Sequence, residues 1–307
     1  MSINGLLGFG LEVPDLAAAE KFYRTFGLET GARAGALAMR SPGRGHDEGI
    51  LVEGPVKRLH HLAFSVDPSE YEALLARAAA RGLRVQDEPP KGVVRDGAWF
   101  RDPWGTWVNV SMEPLGNSRR AQDLGVNTGG RTERVDEALW QEVDREPRPL
   151  RLGHVIIYNT DMLETERFYT EVAGLRVSDR VKGRITFLAG TNGDHHCFGI
   201  ANSTHRGFQH ASFEVASIDA IGFGAARMQD QGYTDIYGPG RHAVASNLFF
   251  YTRDPWGSWV EYYADMDKIT DDWVARDWDT LPVIWGPHVG PTFFRDVLFN
   301  NLEAKPD

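Results

Sequence analysis

Three side chains in the latter half of the sequence have the chemistry to hold a divalent cation: His154 in LGHVIIY, His210 in FQHASFEV and Glu261 in WVEYY. Two imidazoles and one carboxylate are the donor set that grips one face of a ferrous ion and leaves adjacent positions open for reactants. Each residue lies in a strand-like run, 56 residues separate His154 from His210, and 51 separate His210 from Glu261. A lone histidine on an apolar strand is more often a hydrogen-bonded core residue than a ligand, so neither imidazole is informative by itself. A buried, unpaired glutamate is costly, and Glu261 stands in an otherwise aromatic run that asks for a cation to accompany it.

The elements that must position these residues are legible as repeats, the first thing to seek in a chain of this length. RDPWGSWVEYY at 253–263 echoes RDPWGTWVNVS at 101–111, YNTDMLETERFYTEVAGLRV at 158–177 echoes EVPDLAAAEKFYRTFGLE at 12–29, and FQHASFEVA at 208–216 echoes LHHLAFSVD at 59–67. Three matches in the same order indicate a tandem duplication. Within the first block, Asp15 is placed to cap a helix whose apolar residues Ala19, Phe22, Tyr23 and Phe26 recur at helical spacing, and Gly27 supplies the stop. Tyr71, Leu74, Leu75 and Ala78, closed by Gly82, repeat the pattern.

A strand-like run precedes each helix, and further runs separated by glycine-rich turns follow it. The expectation is an α+β chain of four βαβββ modules near residues 5–55, 57–114, 150–205 and 207–265. They pair into an N-terminal domain (1–115) and a C-terminal domain (150–265). The polar stretch 116–149 reads as a linker or lid with a short helix around RVDEALWQEV. The segment 266–307, with Trp273, Trp278, Trp285, Phe293 and Phe294, reads as an aromatic tail folded onto the body.

Aligned through the repeats, the first half has Gly8 opposite His154, His61 opposite His210 and Asn109 opposite Glu261. One ligand of three should not hold an ion, so the first half is expected to be metal-free, with His61 structural. Bulk properties narrow the partners. A net charge of −10 argues against nucleic acid and anionic membranes, which need a basic face. A single cysteine, Cys197, excludes an intrachain disulfide and fits a reducing compartment. No run of about 18 apolar residues occurs, and the expected location is the cytoplasm.

The blocks GHV, QHASFEV and GPGRHAVASNLFFYTRDPWGSWVEYY, with the duplicated module order, resemble the type I extradiol ring-cleavage dioxygenases of the vicinal oxygen chelate superfamily. The resemblance covers residues 5–265. It implies two glyoxalase-like domains, a mononuclear Fe(II) in the C-terminal one with Mn(II) as the alternative ion, a catechol-type substrate, O2, and assembly as a homo-oligomer. His196, fourteen residues before His210, would be the acid/base histidine, with its neighbour His195 taking that place if the register slips by one. His242 and Tyr251 would hydrogen-bond the substrate oxygens. Phe187, Phe198, Asn247 and Phe249 are expected near the specificity pocket. Two other functions stay open at this level: a metal-dependent glyoxalase-like isomerase or transferase, and a metal-free module that binds an aromatic compound.

Overall fold

In the computed structural model, residues 1–121, 125–139, 144–146, 148–279 and 283–287 are described. The first half opens with β1 (Ile3–Val13), α1 (Leu16–Thr25), β2 (Glu29–Arg33), β3 (Ala36–Arg40) and β4 (Gly49–Glu53). It continues with β5 (Arg58–Val66), α2 (Tyr71–Ala80), β6 (Ala98–Arg101) and β7 (Trp107–Ser111). This second module has two strands after its helix where three were expected. The stretch 83–97 that should supply the third contains the pair Pro89 and Pro90, which offer no ladder donors, and only Gln86 N–H reaches a strand carbonyl, that of Trp99 at 2.7 Å.

The second half repeats the plan in full. β8 (Arg151–Asn159), α3 (Met162–Arg167, continued by a π turn over Phe168–Val172), β9 (Arg176–Val181), β10 (Ile185–Ala189) and β11 (Phe198–Asn202) form one module. β12 (Gly207–Glu214), α4 (Ile218–Asp230), β13 (Ile236–His242), β14 (Leu248–Arg253) and β15 (Trp259–Ala264) form the other, and β16 (Arg276–Trp278) and β17 (Val283–Trp285) follow. Side-chain caps start three of the helices: Asp15 accepts from the amides of Ala17 and Ala18, Asp161 from Glu164, and Ser217 from Ala220.

Two mixed sheets result, ordered β2-β3-β4-β1-β5-β7-β6 and β16-β9-β10-β11-β8-β12-β15-β14-β13-β17. In each, an antiparallel central pair is flanked by parallel neighbours. The registers make the repeat exact in space: Gly8 pairs with Ala63 and Ala63 with Asn109, while His154 pairs with Ser212 and Ser212 with Glu261.

The two halves share one core because each lends a helical segment to the other. Phe26, after α1, stacks on Tyr262 of β15 with ring centroids 3.8 Å apart, and the Tyr262 hydroxyl donates to the Phe26 carbonyl at 2.6 Å. Reciprocally, Tyr169 in the π turn lies against Phe64 of β5 and donates to Asp102 Oδ2 at 3.3 Å. β16 and β17 extend the ten-stranded sheet at its two edges. Part of the helix expected around RVDEALWQEV, together with Phe293 and Phe294, lies outside the described residues. No described helix is long and apolar enough to cross a membrane.

Candidate metal centre

β8, β12 and β15 are adjacent in the second sheet and bring His154, His210 and Glu261 to one point. His154 Nε2 and His210 Nε2 are 3.1 Å apart, and Glu261 Oε2 lies 3.2 Å from the first and 3.3 Å from the second. Three potential donors thus form a nearly equilateral triangle with all three residues buried. Glu261 Oε2, completely buried, has no hydrogen bond of acceptable geometry, nor has His154 Nδ1. A buried carboxylate oxygen left without a donor is the mark of a cation site, and the donor types fit Fe(II), Mn(II) or a similar ion.

Local structure prepares each ligand. Gly153 precedes His154 because a Cβ there would stand 2.2 Å from the Tyr263 hydroxyl, and the Tyr263 ring packs on His154 with centroids 5.4 Å apart. His210 follows a β-bulge: pairing passes from Phe208 with Ile157 directly to His210 with Ile156, so Gln209 is the extra residue. Both Gln209 and His210 then line the pocket, and His210 Nδ1–H donates to Gln209 Oε1, which leaves Nε2 as the lone-pair nitrogen at the triangle. Asn247 Nδ2 reaches Glu261 Oε1 at 3.4 Å. It follows two residues in the left-handed region, Ala245 (φ 68°) and Ser246 (φ 57°), and the Ser246 hydroxyl is tied to Asp267 at 2.9 Å.

The electrostatics favour the protonation states that a metal requires. Burial opposes ionisation of Glu261, but the surrounding imidazoles of His154, His210 and His242 outweigh it and hold the carboxyl well below the usual range. Burial pulls His210 down to about 4, with Glu261 opposing. His196 is likewise kept well below its ordinary value by burial first and by His154 next. Tyr251, raised by burial and then by the Glu261 charge, stays a phenol.

The pocket over this triangle is lined at its inner end by His154, His196, His210, His242, Asn247 and Tyr251, and farther out by Ile156, Val181, Ile185, Ala201, Val244 and Val283. Its volume is about 90 Å3, and Arg184 is the exposed residue of its wall. His196 lies on one side, its ring 4.4 Å from that of His154 and 4.7 Å from that of Phe187. On the other side His242 Nε2 and Tyr251 Oη are 3.0 Å apart.

Three expected pocket residues lie elsewhere. Phe198 opens β11 in phase with Ile200, on the face opposite the pocket residue Ala201, where it packs on Tyr169 and Phe64. Phe249 sits behind His242, stacked on it at 4.2 Å, and His195 sits behind His196. Gln209, Tyr237 and the valines of the outer wall were not anticipated. Simple alternation points Gln209 away from the pocket, and nothing in the sequence marks the bulge that turns it inward.

The equivalent place in the first half is closed by protein atoms. A Cβ on Gly10 would stand 2.1 Å from His61 Nδ1, so the imidazole lies over that glycine, and Asn109 Nδ2 donates to the carbonyls of Asp96 and Ala98, each at 3.3 Å. Arg95, the repeat counterpart of Asn247, lies with Nη2 3.3 Å from where a Gly8 side chain would begin and pairs with Glu113 at 2.9 Å. That half carries a guanidinium of its own where the other gathers ligands.

Comparison with known proteins adds to this geometry. Residues 5–110 and 151–262 match the description of the Glyoxalase/Bleomycin resistance protein/Dioxygenase superfamily. Metapyrocatechase 2 of Cupriavidus necator is 35% identical over 302 residues, covering 96% of this chain and 92% of its own. An iron-dependent extradiol dioxygenase of Rhodococcus jostii is 29% identical over 150 residues, covering 44% of this chain and 50% of its own. The Mn(II)-bound glyoxalase from Novosphingobium aromaticivorans shares the fold with a TM-score of 0.74 at 24% identity, over 94% of this chain and 96% of its own.

Proposed function

The chain belongs to the Glyoxalase/Bleomycin resistance protein/Dioxygenase superfamily, and from that membership and the geometry of the triad we infer that it is an extradiol dioxygenase. It opens the aromatic ring of a catechol beside the two hydroxyls, with both atoms of O2 entering an open-chain semialdehyde acid. The observation that carries this reading is the set of three buried donor atoms, 3.1 to 3.3 Å from one another, at the floor of an otherwise apolar pocket.

His154, His210 and Glu261 hold the ion, which we take to be Fe(II); Mn(II) uses the same donors and is the competitor to test. When bound, a ferrous ion supplies the one-electron chemistry that dioxygen needs and acidifies a hydroxyl that reaches it. The protein's own part is proton handling and placement. His196, held uncharged by burial and by His154 beside it, takes a hydroxyl proton and returns it as the ring opens. Tyr251 and His242, across the pocket, hydrogen-bond the diol oxygens, and Asn247 restrains the Glu261 carboxylate. The apolar walls exclude water and face the ring.

Pocket size favours a single-ring substrate. The cavity, about 90 Å3, is smaller than the roughly 150 Å3 apolar cavity that admits benzene. One ring already needs the wall side chains to give way, and a second ring must in addition displace the outer-wall valines Val181, Val244 and Val283. The test is oxygen uptake by Fe(II)-loaded protein with catechol, 3-methylcatechol and a phenyl-substituted catechol. One O2 consumed per ring opened, with the phenyl compound the poorest, is expected; no ring-opened product from any of the three refutes the reading. A glyoxalase-like activity would leave oxygen untouched.

A further inference from the structure

Behind His196 lies a line of hydrogen-bonding groups that leads out of the pocket. His196 Nδ1 is 3.1 Å from His195 Nδ1, and His195 Nε2 is 3.0 Å from Asp179 Oδ2 on β9. All three side chains are buried. The C-terminal segment covers the line: the Arg276 backbone N–H donates to Asp179 Oδ1 at 2.7 Å, the Trp273 ring stands edge-on to His195 with centroids 5.5 Å apart, and the Trp273 indole donates to the Ser178 carbonyl at 2.8 Å.

The direction of each hydrogen bond follows from donor chemistry alone. A carboxylate only accepts, so His195 carries its proton on Nε2. In neutral His195 the Nδ1 is then a lone pair, and His196 must donate to it from Nδ1. The other nitrogen of His196, Nε2, is left with its lone pair on the pocket side. We propose that Asp179 and His195 are positioning residues that fix His196 as the Nδ1–H tautomer, with Nε2 presented to the substrate, and that residues 273–276 lock this arrangement from behind.

The proposal rests on the extradiol reading only for the identity of the proton that His196 moves. A proton taken from the diol at Nε2 is returned from Nε2, while the Nδ1–H stays in its bond to His195 throughout. The charge that His196 carries in between faces the Asp179 carboxylate through one imidazole, an arrangement that stabilises a transient imidazolium as a buried aspartate does for a histidine base.

The tail makes the test unusually sharp. In Asp179→Asn the amide oxygen must remain on Arg276 N–H, because turning the NH2 there would oppose two donors. The NH2 therefore faces His195 Nε2, forces the His195 proton onto Nδ1, and through it drives the His196 proton to Nε2. One isosteric change inverts both tautomers. The experiment is long-range 15N–1H correlation of histidine-labelled, Zn(II)-loaded full-length chain, with steady-state kinetics of the Fe(II)-loaded chain alongside.

Wild type should show His196 protonated at Nδ1, and Asp179→Asn at Nε2. The variant's kcat should fall by about 10²- to 10⁴-fold, the range for a base held in the wrong tautomer, with KM and iron content near those of wild type. His195→Phe, which removes the link while keeping the bulk, should give His196 a mixture of both tautomers. An unchanged His196 tautomer in both variants, or a kcat within threefold of wild type in Asp179→Asn, overturns the proposal. Absence of ring cleavage by wild type would instead sink the extradiol reading while leaving the tautomer result interpretable.

Discussion

Replacing His196 by Phe separates proton transfer from metal binding. The imidazole is packed between the rings of Phe187 and His154, at 4.7 and 4.4 Å, and is nearly completely buried, so a phenyl ring fits the same slot. None of the three ligand atoms depends on His196, and iron should remain at wild-type occupancy. The folding cost is the bond to His195, whose Nδ1 is left buried without a partner, roughly 1–3 kcal/mol. What disappears is general acid/base assistance, worth about 10²- to 10⁴-fold in rate, or roughly 3–5 kcal/mol of barrier. The assay is oxygen uptake at saturating catechol with iron content measured on the same sample. The expected result is full iron, a similar KM and a kcat lowered at least a hundredfold. A kcat within threefold of wild type, or activity lost only in proportion to iron, refutes the assignment of His196 as the proton-transfer residue.

Gly153→Ala should drive the Tyr263 hydroxyl off its position, since the new methyl would stand 2.2 Å from it; weaker metal retention on dialysis against a chelator, with loss of stability, is expected, and unchanged retention would show that Tyr263 does not steady His154. Burial lifts the Asp254 carboxyl to about 6, above its value of about 3.9 in an unfolded chain. The folded state therefore binds more protons in that window, and this group's contribution to stability is present below about pH 4 and is lost as the pH rises through 6. Asp254→Asn should accordingly gain roughly 2–3 kcal/mol relative to wild type between pH 4 and pH 7 by denaturant unfolding; a flat or opposite difference contradicts the sign. Val244→Ala, on the outer wall of the pocket, should improve kcat/KM for a phenyl-substituted catechol relative to catechol by several-fold, and an unchanged ratio would place the second ring elsewhere.

Much of this architecture was legible because the chain is written nearly twice. Repeat matching equated His154, His210 and Glu261 with Gly8, His61 and Asn109, and the strand registers pair those same positions in space. The helix cap Asp15 was equally plain from its spacing to Phe22 and Tyr23. Illegible were departures from ideal periodicity. The prolines at 89 and 90 cost the second module a strand, and the bulge at Gln209 turned a residue inward against alternation. Phe198 shows the complementary limit: an aromatic residue in the right strand can still face the wrong way, because one position of phase decides between pocket and core, whereas Phe249 shares the face of Tyr251 and is screened from the pocket by His242. The role of Asp179 had no local signal, since it lies 16 residues before His195 and meets it only when β9 folds beside the C-terminal segment.

Metal stoichiometry tests the central claim most directly. Elemental analysis after anaerobic Fe(II) loading and desalting should find close to one iron per wild-type chain. It should find less than about a tenth of that in Glu261→Gln, where the neutral amide replaces the one anionic ligand, while Asn109→Gln in the first half leaves the iron content unchanged. Equal iron in wild type and Glu261→Gln, or no iron in either, would contradict the account.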